Sequence, residues 1–502
     1  MKNIRTSKLI ALTLAVSSLL AGCGKDIPAV EDTIATIETS EQTQESTTGR
    51  TSPSKTTSAK HSSTASAATT TDRKTTSAAE NEEEEPVHTN APASGNKPYN
   101  PGIENPPDNG GGYTPKPSGG QSYTPPVTTA KPATTAKRTT AAPATTTKAA
   151  VKPSRPTEAD ELLADMTLHE KVCQMFMTHP EGLTGYGCFQ YADQHTYNCY
   201  DNYPIGGYIF FAGNLATSDQ TRNMLSNLQN YAKSKGAGVF LATDEEGGYI
   251  TRVSYKLGAP AVYNMSYYGG LNDYDSAFGV GTTIGTYLAD YGFNVDFAPV
   301  ADVNLNPNNE LGNRIFSSDP NVVADMSAAV VEGLQSRGVS GTLKHFPGLG
   351  AGGGNTHNGT VVIDRSYEQL CSSEFVAFKG GIDAGCDFVM VGHQVVTGAG
   401  DDMPADLSKV IVTDWLRDDL GFEGITITDA QAMGAITNVY GCAEAAVRSV
   451  EAGIDIILMP ADLAAAVSGV ENAVSSGRIS EERIDESVLR ILKQKEKLGL
   501  LG

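Results

Sequence analysis

Residues 341–345 read Gly-Thr-Leu-Lys-His, a short β-prone run that ends in two polar side chains. Such a run, mostly apolar and bounded by glycine, is typical of a buried parallel strand. Helix-length amphipathic stretches lie on either side of it, at Asn321–Arg337 and Ser366–Ala384. This alternation predicts a parallel sheet joined by crossover helices.

Seven more short apolar runs repeat this pattern after Thr157, with a further helix predicted over Thr217–Lys235. Eight β/α units in one domain favour a single closed (β/α)₈ barrel of the TIM type over an open sheet. The eight predicted strands are Gln174–Thr178, Gly207–Phe211, Val239–Thr243, Val295–Val300, Gly341–His345, Asp387–Gly392, Gly424–Thr428 and Ile454–Leu458.

Polar side chains follow five of these runs at the point where each strand ends. In a parallel barrel the carboxyl ends of the strands share one rim, and active sites of this fold lie there. We therefore expect one polar site at the barrel mouth. The residues concerned are Asp244, Asp302, Lys344 with His345, His393 and Asp429.

The first third of the chain has a different composition. From Lys25 to Arg155 the sequence is rich in Thr, Ser, Ala, Pro and Gly, with an acidic cluster at Glu82–Glu85. Apolar side chains are too sparse there to offset the entropy of ordering the backbone. We predict a disordered linker over residues 24–155 and one folded α/β domain over residues 156–502.

The N-terminus is predicted to be a targeting segment over residues 1–23. Three basic residues precede an apolar run, Leu9–Leu20, of secretory length. Leu20-Ala21-Gly22-Cys23 resembles a bacterial lipobox, in which the cysteine becomes the lipidated N-terminus. We expect Cys23 to anchor the protein at the extracytoplasmic face of the bacterial cell membrane. An ordinary signal peptide is the alternative.

Charge, cysteines and glycines limit the other classes of site. The formal net charge of −21 argues against nucleic acid as a partner. The seven cysteines include no C-x-x-C pair, and Cys188 and Cys199, which flank a polar loop, are able to form a disulfide. The glycine-rich stretch before Asn355 lacks a P-loop ending, and no cluster has metal-ligand spacing. We expect neither a cofactor nor a metal.

Several motifs in order resemble those of glycoside hydrolase family 3, over essentially the whole folded part. The resemblance is closest to the β-N-acetylglucosaminidase branch, which works in peptidoglycan turnover and recycling. It implies a barrel hydrolase whose substrate is a GlcNAc-containing glycan, such as a cell-wall muropeptide. The motifs are Leu343–Gly348, Asn355-Thr356-His357, Asp244–Gly248, Asn313–Phe316, Gly421–Gly424 with Thr428-Asp429, and the closing segment Arg478–Leu500.

The resemblance implies a role for two residues in the chemistry. Asp429 matches the nucleophile of a retaining, double-displacement mechanism. His357 matches a loop histidine that serves as acid and then as base, a task suited to an imidazole. Gly352–Gly354 precede it and would let that loop move over a bound sugar.

One position departs from the family pattern. The family pairs the histidine with an aspartate two residues earlier, where this chain has Asn355. An asparagine can accept a hydrogen bond but carries no charge, and in serine proteases the equivalent change costs about 10⁴ in rate. Tyr249 also replaces a family arginine. The residues expected to bind the sugar are Asp244, Arg314, Lys344, His345 and His393.

Three other functions stay open at this point. A β-glucosidase is disfavoured, because those relatives generally take their acid from an additional domain that we do not expect here. Transglycosylation or phosphorolysis uses the same glycosyl-enzyme, so the sequence does not separate them from hydrolysis. The third is a weakly active or non-catalytic glycan-binding lipoprotein, which Asn355 favours and which Asp429 and His357 oppose.

Overall fold

Short runs of buried residues form the strands of this protein. The computed structural model describes residues 156–502, and its ten strands all pair in parallel. They are β1 Phe176–Thr178, β2 Gly207–Ile209, β3 Phe240–Thr243, β4 Val295–Asp296, β5 Thr342–Phe346, β6 Val362–Ile363, β7 Phe388–Val391, β8 Val395–Val396, β9 Ile425–Thr428 and β10 Ile457–Leu458.

Eight of these strands close into a barrel. One sheet has the order β10-β1-β2-β3-β4 and a second has the order β5-β7-β9. Bridges between Val300 and Lys344 and between Ile427 and Ile456 join the two sheets at both edges. The predicted (β/α)₈ barrel is therefore confirmed. β6 and β8 pair only with each other, beside the barrel rim.

Helices follow the barrel strands. Several of them begin at a Ser, Thr or Asp whose side chain accepts a hydrogen bond from a backbone N–H of the first turn, as Thr217 and Ser480 do. A π-helical segment covers Val410–Asp419. The α-helices are α1 Glu158–Asp165, α2 Leu168–Gln174, α3 Pro180–Thr184, α4 Gln194–Asn202, α5 Ser218–Lys233, α6 Val253–Leu257, α7 Met265–Leu271, α8 Tyr274–Tyr291, α9 Pro320–Gln335, α10 Tyr367–Cys371, α11 Glu374–Asp383, α12 Gly434–Thr437, α13 Cys442–Ala452, α14 Leu463–Ser475 and α15 Glu481–Lys497.

Two predicted elements differ from the observed ones. The strand predicted over Val295–Val300 is regular only to Asp296, and a single bridge from Val300 to Lys344 continues the pairing beyond Pro299. The helix predicted over Ser366–Ala384 is interrupted between α10 and α11. There the Glu374 carboxylate accepts hydrogen bonds from Arg365 and from Ser373 Oγ, which fixes a turn.

The predicted lipobox with Cys23 and the predicted linker lie outside the described residues. The six cysteines within residues 156–502 are free thiols, so Cys188 and Cys199 are not joined in this structure. Among the same residues, no helix is both long enough and apolar enough to cross a bilayer.

Candidate active site

A cavity of about 430 Å³ opens at the carboxyl ends of the barrel strands. It brings together six of the eight predicted site residues and leaves out Asn355 and His393. The predicted residues in its wall are Asp244, Arg314, Lys344, His345, His357 and Asp429, and the further charged residues are Glu246, Arg252 and Glu310. Ile209, Met390, Leu458 and other apolar side chains complete the wall.

Four charged side chains form a network on one wall of the cavity. Lys344 Nζ lies 3.0 Å from Asp244 Oδ1 and 2.6 Å from Glu246 Oε1. Arg314 donates to both oxygens of Glu246, at 2.7 and 2.8 Å. Such a bidentate pair holds the guanidinium in one plane. Both cations are thus fixed before any ligand arrives.

The electrostatics of this network follow from its burial. The side chains of Lys344 and Glu246 are only 3% and 2% exposed. Burial alone would raise the pKa of Glu246, but the adjacent Lys344 and Arg314 lower it to about 2. Burial disfavours the charge on Lys344, yet Glu246 and Asp244 keep its pKa above the ordinary value. Glu246 and Lys344 are therefore both charged at neutral pH.

His345 is oriented by a buried carboxylate. Its Nδ1 lies 2.8 Å from Asp302 Oδ2, and its backbone N–H donates to the same oxygen at 3.0 Å. The Asp302 side chain has no exposure to solvent. Because Nδ1–H is bonded to the carboxylate, Nε2 is left for another partner. His345 lines the cavity, so a bound ligand can take that place.

Asp429 directly follows β9, and hydrogen bonds fix its backbone and side chain. Its N–H donates to Val391 O at 2.8 Å, and its Oδ1 accepts the Ala430 N–H at 2.7 Å. Burial would raise the pKa of Asp429, but the adjacent His393 and then His345 lower it below the ordinary value. The group is an anion held at a rigid strand end.

His393 does not line the cavity, contrary to its predicted contact with the sugar. Its side chain is 0% exposed and lies behind Asp429, with Nδ1 3.0 Å from Asp406 Oδ1 and Nε2 3.0 Å from Ala430 O. Burial would lower the pKa of His393, but Asp406 and then Asp429 raise it to about 9. We reassign His393 as a positioning residue that keeps Asp429 ionised.

This assignment predicts a pH dependence of stability. The pKa of His393 rises from the ordinary 6.5 to about 9 on folding. Its stabilising effect is therefore complete below pH 6.5 and is lost as the pH rises through 9. We expect the difference in unfolding free energy between wild type and His393→Gln to fall by up to about 1.4 kcal/mol per pH unit in that window. Urea denaturation at a series of pH values measures it, and a constant difference would contradict the assignment.

Asn355 does not orient the ring of His357 in this structure. Its Oδ1 accepts the backbone N–H of His357 at 2.8 Å, which closes a tight turn. Both side chains are exposed, and nothing in residues 156–502 hydrogen-bonds to the His357 imidazole. The expected Asn355–imidazole contact is thus replaced by a contact to the main chain.

Sequence reasoning missed three carboxylates that complete the site. Glu246 had a detectable signal, because it lies two residues after Asp244 in the same motif. Asp406 and Glu310 had none, because Asp406 lies in the short 3₁₀ helix Ala405–Leu407 and Glu310 in a loop, each away from any strand end. No group of three or more His, Cys, Asp or Glu side chains in residues 156–502 has the arrangement of a metal site.

Most of the described part of the chain matches the model of a known family. The model of the glycosyl hydrolase family 3 N-terminal domain matches residues 167–494. The chain belongs to glycosyl hydrolase family 3.

Within family 3, two similar proteins carry the name of a beta-hexosaminidase. "Beta-hexosaminidase A" of Pseudoalteromonas piscicida is 32% identical over 59% of this chain and 54% of its own length. "Beta-hexosaminidase LpqI" of Mycobacterium tuberculosis is 32% identical over 51% of this chain and 67% of its own. The chain thus spans about half the length of the first of these curated relatives.

A solved structure is similar over the same part of the chain. The family 3 β-N-acetylglucosaminidase of Paenibacillus sp. str. FPU-7 superposes with a TM-score of 0.63 at 34% identity. The match covers 67% of this chain and 63% of the other. It therefore extends over the barrel described above.

Proposed function

We propose that this family 3 protein is a retaining exo-β-N-acetylglucosaminidase. It removes terminal β-linked GlcNAc through a covalent glycosyl-aspartate on Asp429, with His357 as acid and base. The observation that carries the proposal is that both side chains line one cavity at the barrel mouth, together with the buried charge network. A cavity of about 430 Å³ suits one terminal sugar rather than a long chain.

In the first step, an Asp429 oxygen attacks the anomeric carbon of the bound sugar. The bond from that carbon to the glycosidic oxygen breaks, and the His357 imidazolium gives its proton to the departing oxygen. The low pKa of Asp429 keeps the attacking group ionised. The rigid end of β9 sets the direction of attack.

In the second step, water replaces the departed alcohol. His357, now neutral, takes a proton from the water as the oxygen attacks the anomeric carbon. The bond to Asp429 breaks and the carboxylate is restored, so the sugar leaves with its original anomeric configuration. Asp244, Lys344 and Arg314 hold the ring hydroxyls through both steps.

The substrate class rests on the relatives and on the wall of the cavity. The three relatives reported above are named for hexosaminidase or N-acetylglucosaminidase activity. Apolar residues such as Met390 and Leu458 lie in the same wall as the charged network. A sugar with hydroxyls and one acetamido methyl matches such a mixed surface.

We further propose that the enzyme acts on cell-wall muropeptide fragments outside the bacterial membrane. The lipobox-like Leu20–Cys23 would provide the lipid anchor, and residues 24–155 would hold the catalytic domain away from the membrane surface. Labelling of growing cells with a palmitate analogue tests the anchor. A Cys23→Ser chain that stays labelled would contradict it.

The activity is tested with the purified full chain on 4-nitrophenyl β-N-acetylglucosaminide and on the matching β-glucoside. We expect release of nitrophenol from the N-acetyl substrate at least tenfold faster. Equal or faster release from the glucoside would identify a β-glucosidase. A rate that rises with added phosphate, with a sugar phosphate as product, would identify a phosphorylase. Ligand binding without turnover would favour the glycan-binding alternative.

A further inference from the structure

The loop that carries His357 lacks its own carboxylate, and Asn355 is already engaged by the backbone. Four carboxylates line the cavity. Asp244 and Glu246 are paired with Lys344, Glu246 also pairs with Arg314, and Asp429 is the proposed nucleophile. One carboxylate of the cavity wall, Glu310, has no cation within salt-bridge distance among the described residues.

Glu310 reaches across to the loop of His357. Its Oε1 lies 3.2 Å from the backbone nitrogen of Thr356 and 3.2 Å from Thr356 Oγ1, and both groups donate to it. Thr356 is the residue between Asn355 and His357. The carboxylate thus contacts the chain one residue from the imidazole, in the same cavity wall.

Further hydrogen bonds show that the two loops are built to meet. Asn306 donates its backbone N–H to Gly350 O and its side-chain amide to Gly352 O, each at 2.9 Å. A Cβ at Gly350 would lie 2.0 Å from Val303 O, so only glycine permits this approach. Asn306 lies four residues before Glu310. Its hydrogen bonds to Gly350 and Gly352 therefore hold the Glu310 loop next to the His357 loop.

The opposite side of the His357 loop is held by the chain that follows Asp429. The N–H of Gly434 donates to His357 O at 3.1 Å, and the N–H of Ala435 donates to Thr356 O at 3.1 Å. A Cβ at Gly434 would lie 2.7 Å from His357 O. The loop is therefore held between the Glu310 carboxylate and the start of α12.

We propose that Glu310 is the positioning residue of His357. It fastens the loop through Thr356 and supplies, from a neighbouring loop, the negative charge that Asn355 lacks. This inference rests on the proposed function, since it assigns a partner to the proposed acid. It also explains how the Asn355 departure is compatible with an active enzyme.

The test compares Glu310→Gln on two substrates that differ only in their need for an acid. In N,N′-diacetylchitobiose the leaving group is a second GlcNAc, and the glycosidic oxygen must be protonated as the bond breaks. In the 2,4-dinitrophenyl β-N-acetylglucosaminide the leaving group is 2,4-dinitrophenolate, which departs without a proton. Glutamine keeps an oxygen for Thr356 but removes the charge. We expect kcat/KM on chitobiose to fall about 10- to 100-fold, within the range of general acid catalysis, and to change less than about 3-fold on the aryl substrate.

Rescue and a control complete the experiment. Asn355→Asp placed in the Glu310→Gln chain restores the charge at the family position, so it should recover most of the loss on chitobiose. Glu423→Gln, an exposed carboxylate outside the cavity, should leave both rates unchanged.

The possible failures are distinguishable. If wild type turns over the aryl substrate and Glu310→Gln matches it on both substrates, or loses equally on both, the role of Glu310 is overturned and the proposed function stands. If wild type turns over neither substrate, the proposed function is overturned and the role of Glu310 with it.

Discussion

Asp429→Asn is expected to lower kcat on 4-nitrophenyl β-N-acetylglucosaminide by about 10⁴-fold or more. The amide is isosteric with the carboxylate but is a poor nucleophile, and it cannot balance the positive charge that develops at the anomeric carbon. Because the Ala430 N–H can still bond to the amide oxygen, the fold around the strand end should persist. Steady-state kinetics, with circular dichroism as a check on folding, measures the effect.

A matched control and a chemical rescue sharpen this prediction. Asp418→Asn changes an exposed carboxylate outside the cavity and should leave kcat unchanged. In Asp429→Gly, added azide should restore turnover of the dinitrophenyl substrate and yield the α-glycosyl azide, because a small anion fits where the carboxylate was. Retention of more than a tenth of wild-type kcat by Asp429→Asn would exclude this residue as nucleophile.

Glu246→Gln is expected to lower both stability and kcat/KM. The substitution removes the carboxylate between Lys344 and Arg314, so the partly buried Arg314 loses its carboxylate partner and the buried Lys344 keeps only Asp244. Loss of one member of a buried pair costs about 3–5 kcal/mol of unfolding free energy. Displacement of Lys344 and Arg314, which we propose to bind the sugar, should lower kcat/KM by about 10²-fold. Urea denaturation and steady-state kinetics measure the two effects.

The double variant Glu246→Gln/Arg314→Gln separates lost charge balance from lost packing. Removing Arg314 as well takes away one unpaired cation, so the double variant should be more stable than Glu246→Gln alone. A destabilisation by Glu246→Gln below about 1 kcal/mol would contradict the burial argument, and the exposed Glu423→Gln serves as its control.

The barrel could be predicted from the sequence because its strands are short apolar runs that end in polar residues. The same rule located Asp244, Lys344, His345 and Asp429, since parallel strands place their carboxyl ends on one rim. His393 also follows a strand end, but its side chain points into the core toward Asp406. A position at a strand end does not specify the direction of the side chain. The His393 side chain therefore lies outside the cavity wall in which we predicted it.

The loop contacts could not be predicted in the same way. Whether Asn355 bonds to the ring or to the backbone of His357 depends on local torsions, which composition does not encode. The approach of Glu310 to Thr356 depends on how two loops more than forty residues apart pack against each other. Such contacts require the three-dimensional path of the chain.

Trapping of the glycosyl-enzyme identifies the nucleophile without relying on a variant. Incubation of the full chain with 5-fluoro-β-N-acetylglucosaminyl fluoride, followed by peptide mass mapping, locates the attached sugar. Fluoride leaves without protonation, so the result does not depend on His357, Asn355 or Glu310. We expect one fluorosugar on the peptide that contains Asp429 and none in Asp429→Asn. A sugar on another carboxylate, or no adduct in a chain that hydrolyses the N-acetyl substrate, would contradict it.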